Sequence, residues 1–159
     1  MSAQIRFAQA SDVPLIAQLI RALSRFEKLE QDVTMTEEKL ADSLFGSRPY
    51  AETLIAEDGA QAVGFALFFH TFSTFLAMPG IYLEDLFVIP EQRGRGVGRA
   101  LLQRLAEIAL ERGCGRLEWA VLNWNAGAIA FYERLGARPN SEWTVYRLSG
   151  EPLRALAGE

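Results

Sequence analysis

The 159-residue sequence predicts a mixed α/β fold, a mostly antiparallel central sheet with helices on both faces. Three observations lead there. Asp58-Gly59 is a strong hairpin turn signal between two strand-like runs, Glu52 to Glu57 and Ala62 to Phe69. Ile81 to Ile89 is apolar at nearly every position, as expected of a central strand buried on both faces. Gly98 to Arg112 then places Leu101, Leu102, Leu105, Ile108 and Ala109 on one helical stripe, which Gly113 closes.

The remaining elements follow in chain order. Ile5-Arg6-Phe7 reads as a short strand, and Ser11 as the N-cap of a helix that carries Ile16, Leu19, Ile20, Leu23 and Phe26 to about Lys28. Thr36 caps a second helix through Leu40 and Leu44, ended by Gly46 in a left-handed closing position. After the hairpin, residues 71 to 80 read as a loop, and Pro90 stops the apolar strand. Beyond the long helix, Arg116 to Leu122 is a strand, Asn125 caps a helix running to Gly136, and Trp143 to Leu148 is a last strand. No repeat or linker interrupts the sequence, so residues 1 to 159 are expected to form one domain.

Composition excludes several classes. A net charge of -4 offers no general positive field for phosphate backbones, so nucleic acid is not an expected partner. The lone Cys114 forms no internal disulfide, and the opening MSAQIRFAQASD lacks a secretory apolar core, so the expected location is cytoplasmic. Gln61 to Leu83 lacks Asp, Glu, Lys and Arg, yet Thr71, Ser73, Thr74 and Pro79-Gly80 interrupt it. Its β-branched and aromatic content suits strands, so no membrane span is expected. His70 has no partner at metal-ligand spacing and reads as structural; no metal is expected.

The chemistry concentrates in Arg93-Gly94-Arg95-Gly96-Val97-Gly98, between the apolar strand and the long helix. Unpaired backbone N–H groups converge there beside a positive helix end. Glycines permit close approach of an anion, and Arg93, Arg95 and Arg99 add positive charge. A nucleotide-hydrolysing loop is excluded, because no Lys-Ser or Lys-Thr pair follows the last glycine. A dinucleotide fold has one point in its favour, Glu118 about 20 residues on. Against it stand the four residues Pro90 to Arg93 between strand and glycines, the motif's late position and the antiparallel strands before it. Coenzyme A, which carries its own diphosphate, fits better.

With Gln92 before it, this loop resembles the pyrophosphate loop of the GNAT acetyltransferase superfamily. Leu83 to Val88, Trp124-Asn125 and Phe131-Tyr132 resemble the spermidine/spermine N-acetyltransferase family, and the resemblance covers almost the whole chain. Within it, Phe26 to Leu29, Arg112-Gly113-Cys114 and the tail Leu153 to Glu159 are most similar to the branch that acetylates thialysine, a lysine analogue. Two departures bear on amine choice: Asn123 stands where the family usually carries an acid, and the loop around Arg138 to Glu142 is shorter.

The resemblance implies direct transfer of acetyl from acetyl-CoA to a primary amine of a small cationic substrate (a lysine-like amine, diamine or polyamine), and a homodimer. It implies that backbone groups of Leu86, Phe87 and Val88 grip the pantetheine arm, and that Arg93 to Arg99, together with Asn125, Ala126, Gly127 and Ala128, hold the rest of the donor. Tyr132, which periodicity alone would read as an amphipathic rim tyrosine, becomes the proton donor to the leaving thiolate. Glu84, an acid in an otherwise apolar strand, is expected to be buried and to draw a proton from the substrate, directly or through water, with a structural salt bridge as the alternative. Asp85 is expected on the opposite face, holding a structural hydrogen bond. Phe26, Glu27 and Glu142 resemble residues at the amine end, and Glu118 or Trp119 is expected to face the cleft. Two further readings stand beside this one: a noncatalytic acyl-CoA-binding module, and acetylation of protein lysine or N-terminal amines.

Overall fold

A computed structural model describes residues 3–159. The chain forms two compact units, one ending at Ala120 and the other comprising Val121–Glu159.

The first unit is built on a five-stranded sheet in sequential order, β1 (Gln4–Phe7), β2 (Glu52–Asp58), β3 (Gln61–Ser73), β4 (Met78–Val88) and β5 (Leu117–Trp119). The first three pairings are antiparallel and the last is parallel, as the crossover through a helix requires. The charge-free stretch from Gln61 supplies β3 and the start of β4, and no helix among the described residues is long and apolar enough to cross a membrane.

Helices α1 (Val13–Phe26) and α2 (Glu37–Phe45) cover one face, where Ile16, Leu19, Leu23, Leu40 and Leu44 form a buried cluster with Ile55, Phe65, Leu67 and Phe87. The intervening strand residues Leu54, Ala66 and Phe68 are also buried, outside that cluster, as strand alternation demands. Helix α3 (Val97–Glu111) buries Leu101, Leu102, Leu105 and Ile108, the stripe expected from sequence. At its end Arg112 forks onto both oxygens of Glu52 at 2.6 and 2.9 Å, with His70 Nε2 3.4 Å from the same guanidinium. His70 thus sits in an ionic clasp between helix and sheet.

Several local expectations are corrected. Ser11 does not cap α1: it lies in a 3-10 turn, Ala10–Asp12, because Arg6 ties down Asp12 at 2.8 Å and tightens the entry. Gly46 is extended, with φ -74, rather than left-handed. It is required by space instead, since a Cβ there would lie 2.3 Å from the Asp42 carbonyl oxygen. The expected loop of residues 71–80 is mostly ladder, because β3 and β4 continue pairing to Ser73 and Met78.

The second unit holds α4 (Ala126–Arg134) and α5 (Gly150–Ala157). Asn125 caps α4 as expected, its Oδ1 accepting from the Ala128 N–H at 3.2 Å. The expected last strand, Trp143 to Leu148, forms no ladder, and β5 is shorter than the expected Arg116 to Leu122. High β propensity makes a strand only where an edge is available to pair with.

Candidate active site

The site begins with a register fault. Phe68 pairs with Leu83, but its neighbour Leu67 pairs with Asp85, so Glu84 is an extra residue, a β-bulge on β4. On the other side of β4, the parallel ladder with β5 ends at the pair Leu83 and Trp119. From Glu84 to Val88, therefore, β4 is paired along β3 only. This leaves an open edge whose backbone groups can bind an extended molecule in place of a strand.

The open edge runs directly into the glycine loop. A short turn, Pro90–Gln92, separates them, and the loop enters α3 with Gly96 as the N-cap. Gly94 and Gly96 take φ values of 77 and 84, where a side chain would be strained. No atom stands within 4 Å of a Cβ built on either, so the space in front of the loop is open. No side chain caps α3, and its first-turn N–H groups lie on the positive end of a 15-residue helix. Val97 is buried and anchors the turn. These features suit a diphosphate, whose oxygens would accept from the helix N-terminus while the flanking arginines balance charge.

The arginines diverge. Arg93 turns back onto the sheet: its Nε donates to the Val88 carbonyl oxygen at 2.8 Å, and its guanidinium lies 4.4 Å from the Phe26 ring centre and 5.3 Å from that of Phe87. Arg95 approaches Gln92 at 3.5 Å and lines an open cavity of about 340 Å³ with Asp58 and Val63. Of the three expected cations, Arg93 thus joins loop, strand and the end of α1.

Comparison with known proteins agrees with this geometry. The acetyltransferase (GNAT) family profile matches residues 16–137. The chain belongs to the GNAT acetyltransferase family. It is an enzyme of that class, and its sheet is the GNAT fold. It is 39% identical over 168 residues to thialysine N-epsilon-acetyltransferase of Mus musculus, covering 99% of this chain and 98% of that one. It is 33% identical over 201 residues to an L-ornithine N5-acetyltransferase of Arabidopsis thaliana, covering 98% and 88%. Among solved structures, an integron cassette protein from the mobile metagenome of V. cholerae superposes with a TM-score of 0.83 at 29% identity, covering 100% and 99%.

In this acetyltransferase the two neighbouring acids differ in their surroundings, and the burial expected of Glu84 is corrected. Glu84 is exposed, because a bulge residue leaves the regular pleat. Asp85 is the acid that burial affects most: loss of water, then the charges of Glu84 and Glu27, push its carboxyl up to about 7. Glu27 caps the C-terminus of α1, just before Lys28 at φ 62, and burial raises its carboxyl above the usual range. Phe26 and Phe87 meet with ring centres 6.5 Å apart. The first unit therefore brings Phe26, Glu27, Asp85, Phe87 and Arg93 together. Glu118 pairs with Tyr82 across the β4–β5 ladder and is held by Arg116 at 2.9 Å. Burial and the charges of Glu84 and Glu118 raise the Tyr82 phenol, placing all three on one side of the sheet.

The second unit holds, by itself, the residues that the sequence assigns to the donor's far end and to the leaving group. Ala126, Gly127 and Ala128 form the first turn of α4, and a Cβ at Gly127 would meet nothing within 4 Å. Tyr132 is half-buried, its ring 5.5 Å from that of Phe131, and its carbonyl closes the helix by accepting from Leu135 and Ala137. Glu142 lies in the exposed segment after α4. Among the described residues no group of three or more His, Cys, Asp or Glu side chains is placed to hold a metal ion.

Sequence reasoning missed the surroundings of Asp85 and the stacking of Arg93 on Phe26 and Phe87. The doublet Glu84-Asp85 was visible in the sequence, but which of the two acids turns toward α1 and α2 depends on the bulge at Glu84, which only the pairing of β4 with β3 reveals.

Proposed function

We propose that this enzyme transfers acetyl from acetyl-CoA directly to the side-chain primary amine of a small amino acid or diamine, with thialysine-like and ornithine-like amines as first choices. The observation that carries this reading is the continuity of the open β4 edge, Glu84 to Val88, with an uncapped helix N-terminus led by two positive-φ glycines. Such an arrangement fits an extended thioester arm followed by a diphosphate. Leu86, Phe87 and Val88 offer backbone groups to the arm, and Gly94, Arg95, Gly96, Val97, Gly98 and Arg99 surround the diphosphate. Asn125 to Ala128 add a second helix start. The relatives named for thialysine and L-ornithine acetylation support the substrate class.

Bound acetyl-CoA supplies an activated acyl carbon. The chain's part is to hold that carbonyl against a backbone N–H of β4, to orient the amine, and to manage protons. Tyr132 is assigned the proton for the leaving thiolate. Glu84, exposed at the bulge, Glu27 and Glu142 supply the negative charge that draws a cationic substrate, and Phe26 a wall for its methylenes. We read the two compact units as parts of one catalytic domain, because the family profile runs across their boundary at Ala120.

A homodimer belongs to the same proposal. Trp143, Val145 and Tyr146 are 76%, 89% and 92% exposed in a run with strong β propensity, and a second copy offers them a surface. A cytoplasmic location accords with Cys114, a free and buried thiol. The decisive experiment is thiol release from acetyl-CoA against thialysine, lysine, ornithine, short diamines, polyamines and a lysine-containing peptide. Turnover of the amino acids or diamines above the peptide is expected; turnover of the peptide alone would overturn the substrate class.

A further inference from the structure

Arg93 turns back from the glycine loop, and what it touches is the end of the open β4 edge and the end of α1. In the β3–β4 ladder Val88, the last residue of β4, stands opposite Gly64. The Ile89 N–H donates to the Val63 carbonyl at 2.9 Å, and a Cβ built on Gly64 would lie 2.7 Å from the Phe87 carbonyl oxygen. The backbone groups of Phe87 and Ile89 therefore face β3. Alternation turns those of Val88 to the other edge, the one that β5 leaves open. Arg93 Nε donates to the Val88 carbonyl at 2.8 Å, so the guanidinium occupies the last acceptor of that edge.

The same guanidinium reaches α1. It lies 4.4 Å from the Phe26 ring centre and 5.3 Å from that of Phe87, and the two rings stand 6.5 Å apart. Phe26 ends α1 and continues the apolar stripe of Ile16, Leu19 and Leu23, but those three are buried with α2 and the sheet, whereas Phe26 is 39% exposed. Its ring sits at the rim of the core, where Phe87 and Arg93 bear on it. The chain beyond reverses at once: Glu27 caps the helix, Lys28 takes φ 62, and the Leu29 N–H donates back to the Ser24 carbonyl at 2.9 Å. Where Phe26 is held therefore sets where Glu27 leaves the helix. A guanidinium suits this place, because its plane can lie on aromatic faces while an N–H keeps its hydrogen bond, and an ammonium has no plane to offer. All of these residues belong to the first unit.

We propose that Arg93 is a positioning residue for the amine substrate: it holds the Phe26 ring, and with it Glu27, in register with the open β4 edge. The inference rests on the amine acetyltransferase reading, in which Phe26 is the wall for the substrate's methylenes and the β4 edge receives the thioester arm. Acyl transfer needs the amine nitrogen brought up to the thioester carbon in one orientation, so the wall that guides the amine must be registered against the edge that guides the donor. Arg93 does this with two contacts made at once, one to the edge backbone and one to the ring. It acts on the amine through Phe26 and not by touching it. The backbone N–H groups at the start of α3 stay available to a diphosphate, so amine recognition and donor affinity should respond separately to changes at Arg93.

The test compares wild type, Arg93→Lys, Phe26→Leu and the double variant by thiol release with thialysine at saturating acetyl-CoA. Calorimetric binding of acetyl-CoA and aromatic-carbon NMR of phenylalanine-labelled protein without ligand accompany it. Arg93→Lys keeps the charge and loses the plane. It should raise KM for thialysine at least about fivefold, lower kcat much less, and leave acetyl-CoA affinity within about threefold of wild type. Phe26→Leu should have the same signature, and the double variant should match the worse single variant within about twofold, because the two side chains act as one. One ring signal vanishes in Phe26→Leu, which identifies it, and that signal should shift in Arg93→Lys. A thialysine KM unchanged in Arg93→Lys, losses that multiply in the double variant, a loss confined to acetyl-CoA affinity, or a Phe26 signal that stays in place would each overturn the inference and leave the acetyltransferase reading intact. Wild type that turns over none of the amines would overturn that reading, and with it the role of Arg93. Should Arg93→Lys lose the dispersion of the other phenylalanine signals and so fail to fold, Arg93→Met, which keeps an apolar stem, is measured in its place against the same outcomes.

Discussion

The unit ending at Ala120 and the unit beginning at Val121 both carry amphipathic helices and aromatic runs, but only the first buries them. Every buried residue among those described lies at or before Cys114, and residues 121–159 contain none. The first unit has a five-stranded sheet to fill from both sides. The second has helices of 9 and 8 residues, lengths that are marginal in water without a surface to pack on. The difference teaches that a hydrophobic pattern states a demand for burial and not its fulfilment. It also separates residues that the proposed function uses: the glycine loop and Asp85 lie in the first unit, and Tyr132 in the second.

The largest expected effect tests the first unit's binding role. Gly96→Asp puts a negative side chain at a backbone φ of 84, in front of the α3 N-terminus. Calorimetry should find acetyl-CoA binding lost beyond detection in a variant that still folds, whereas unchanged affinity would remove the diphosphate from this loop.

Next comes the contrast in stability. Phe65 is completely buried under α1 and α2, so Phe65→Ala should cost about 3–5 kcal/mol in denaturant unfolding. Trp143→Ala should change that value by less than about 0.5 kcal/mol, as an exposed side chain does. It should instead lower the mass seen by light scattering on dilution if a second copy covers this segment; a wild-type monomer at all concentrations would exclude the dimer.

Tyr132→Phe should reduce kcat by about a hundredfold and leave acetyl-CoA affinity almost unchanged, because it removes a proton donor and keeps the ring. Turnover within about twofold of wild type across the pH range would give that role to solvent, and the second unit would lose its share of the chemistry.

The smallest effect is a pH dependence of stability. Asp85 binds its proton more tightly folded than unfolded, so its contribution is fully present below the ordinary 3.8 and is lost as pH rises toward about 7. Asp85→Asn should therefore be more stable than wild type at pH 8, by about 1–2 kcal/mol, with the gap closing below pH 4. A constant gap across that range would show that the carboxyl is not displaced.

Local chemistry was legible from sequence alone. The hairpin at Asp58-Gly59, the caps Thr36 and Asn125, the long helix and the glycine loop each depend on a few neighbouring residues, and the structure has all of them. The glycine motif led to the expectation of an anion there and, through resemblance, to the acetyltransferase family to which the chain belongs. What the tertiary structure alone decided concerns partners far apart in sequence. Whether Glu84 or Asp85 faces inward depends on how β4 pairs with β3, and one bulge reverses the answer for every residue beyond it. Where Arg93 points depends on Phe26, 67 positions earlier in the chain. The segment Trp143 to Leu148 has the composition of a strand and lacks a ladder, because pairing is a property of two edges and sequence describes only one.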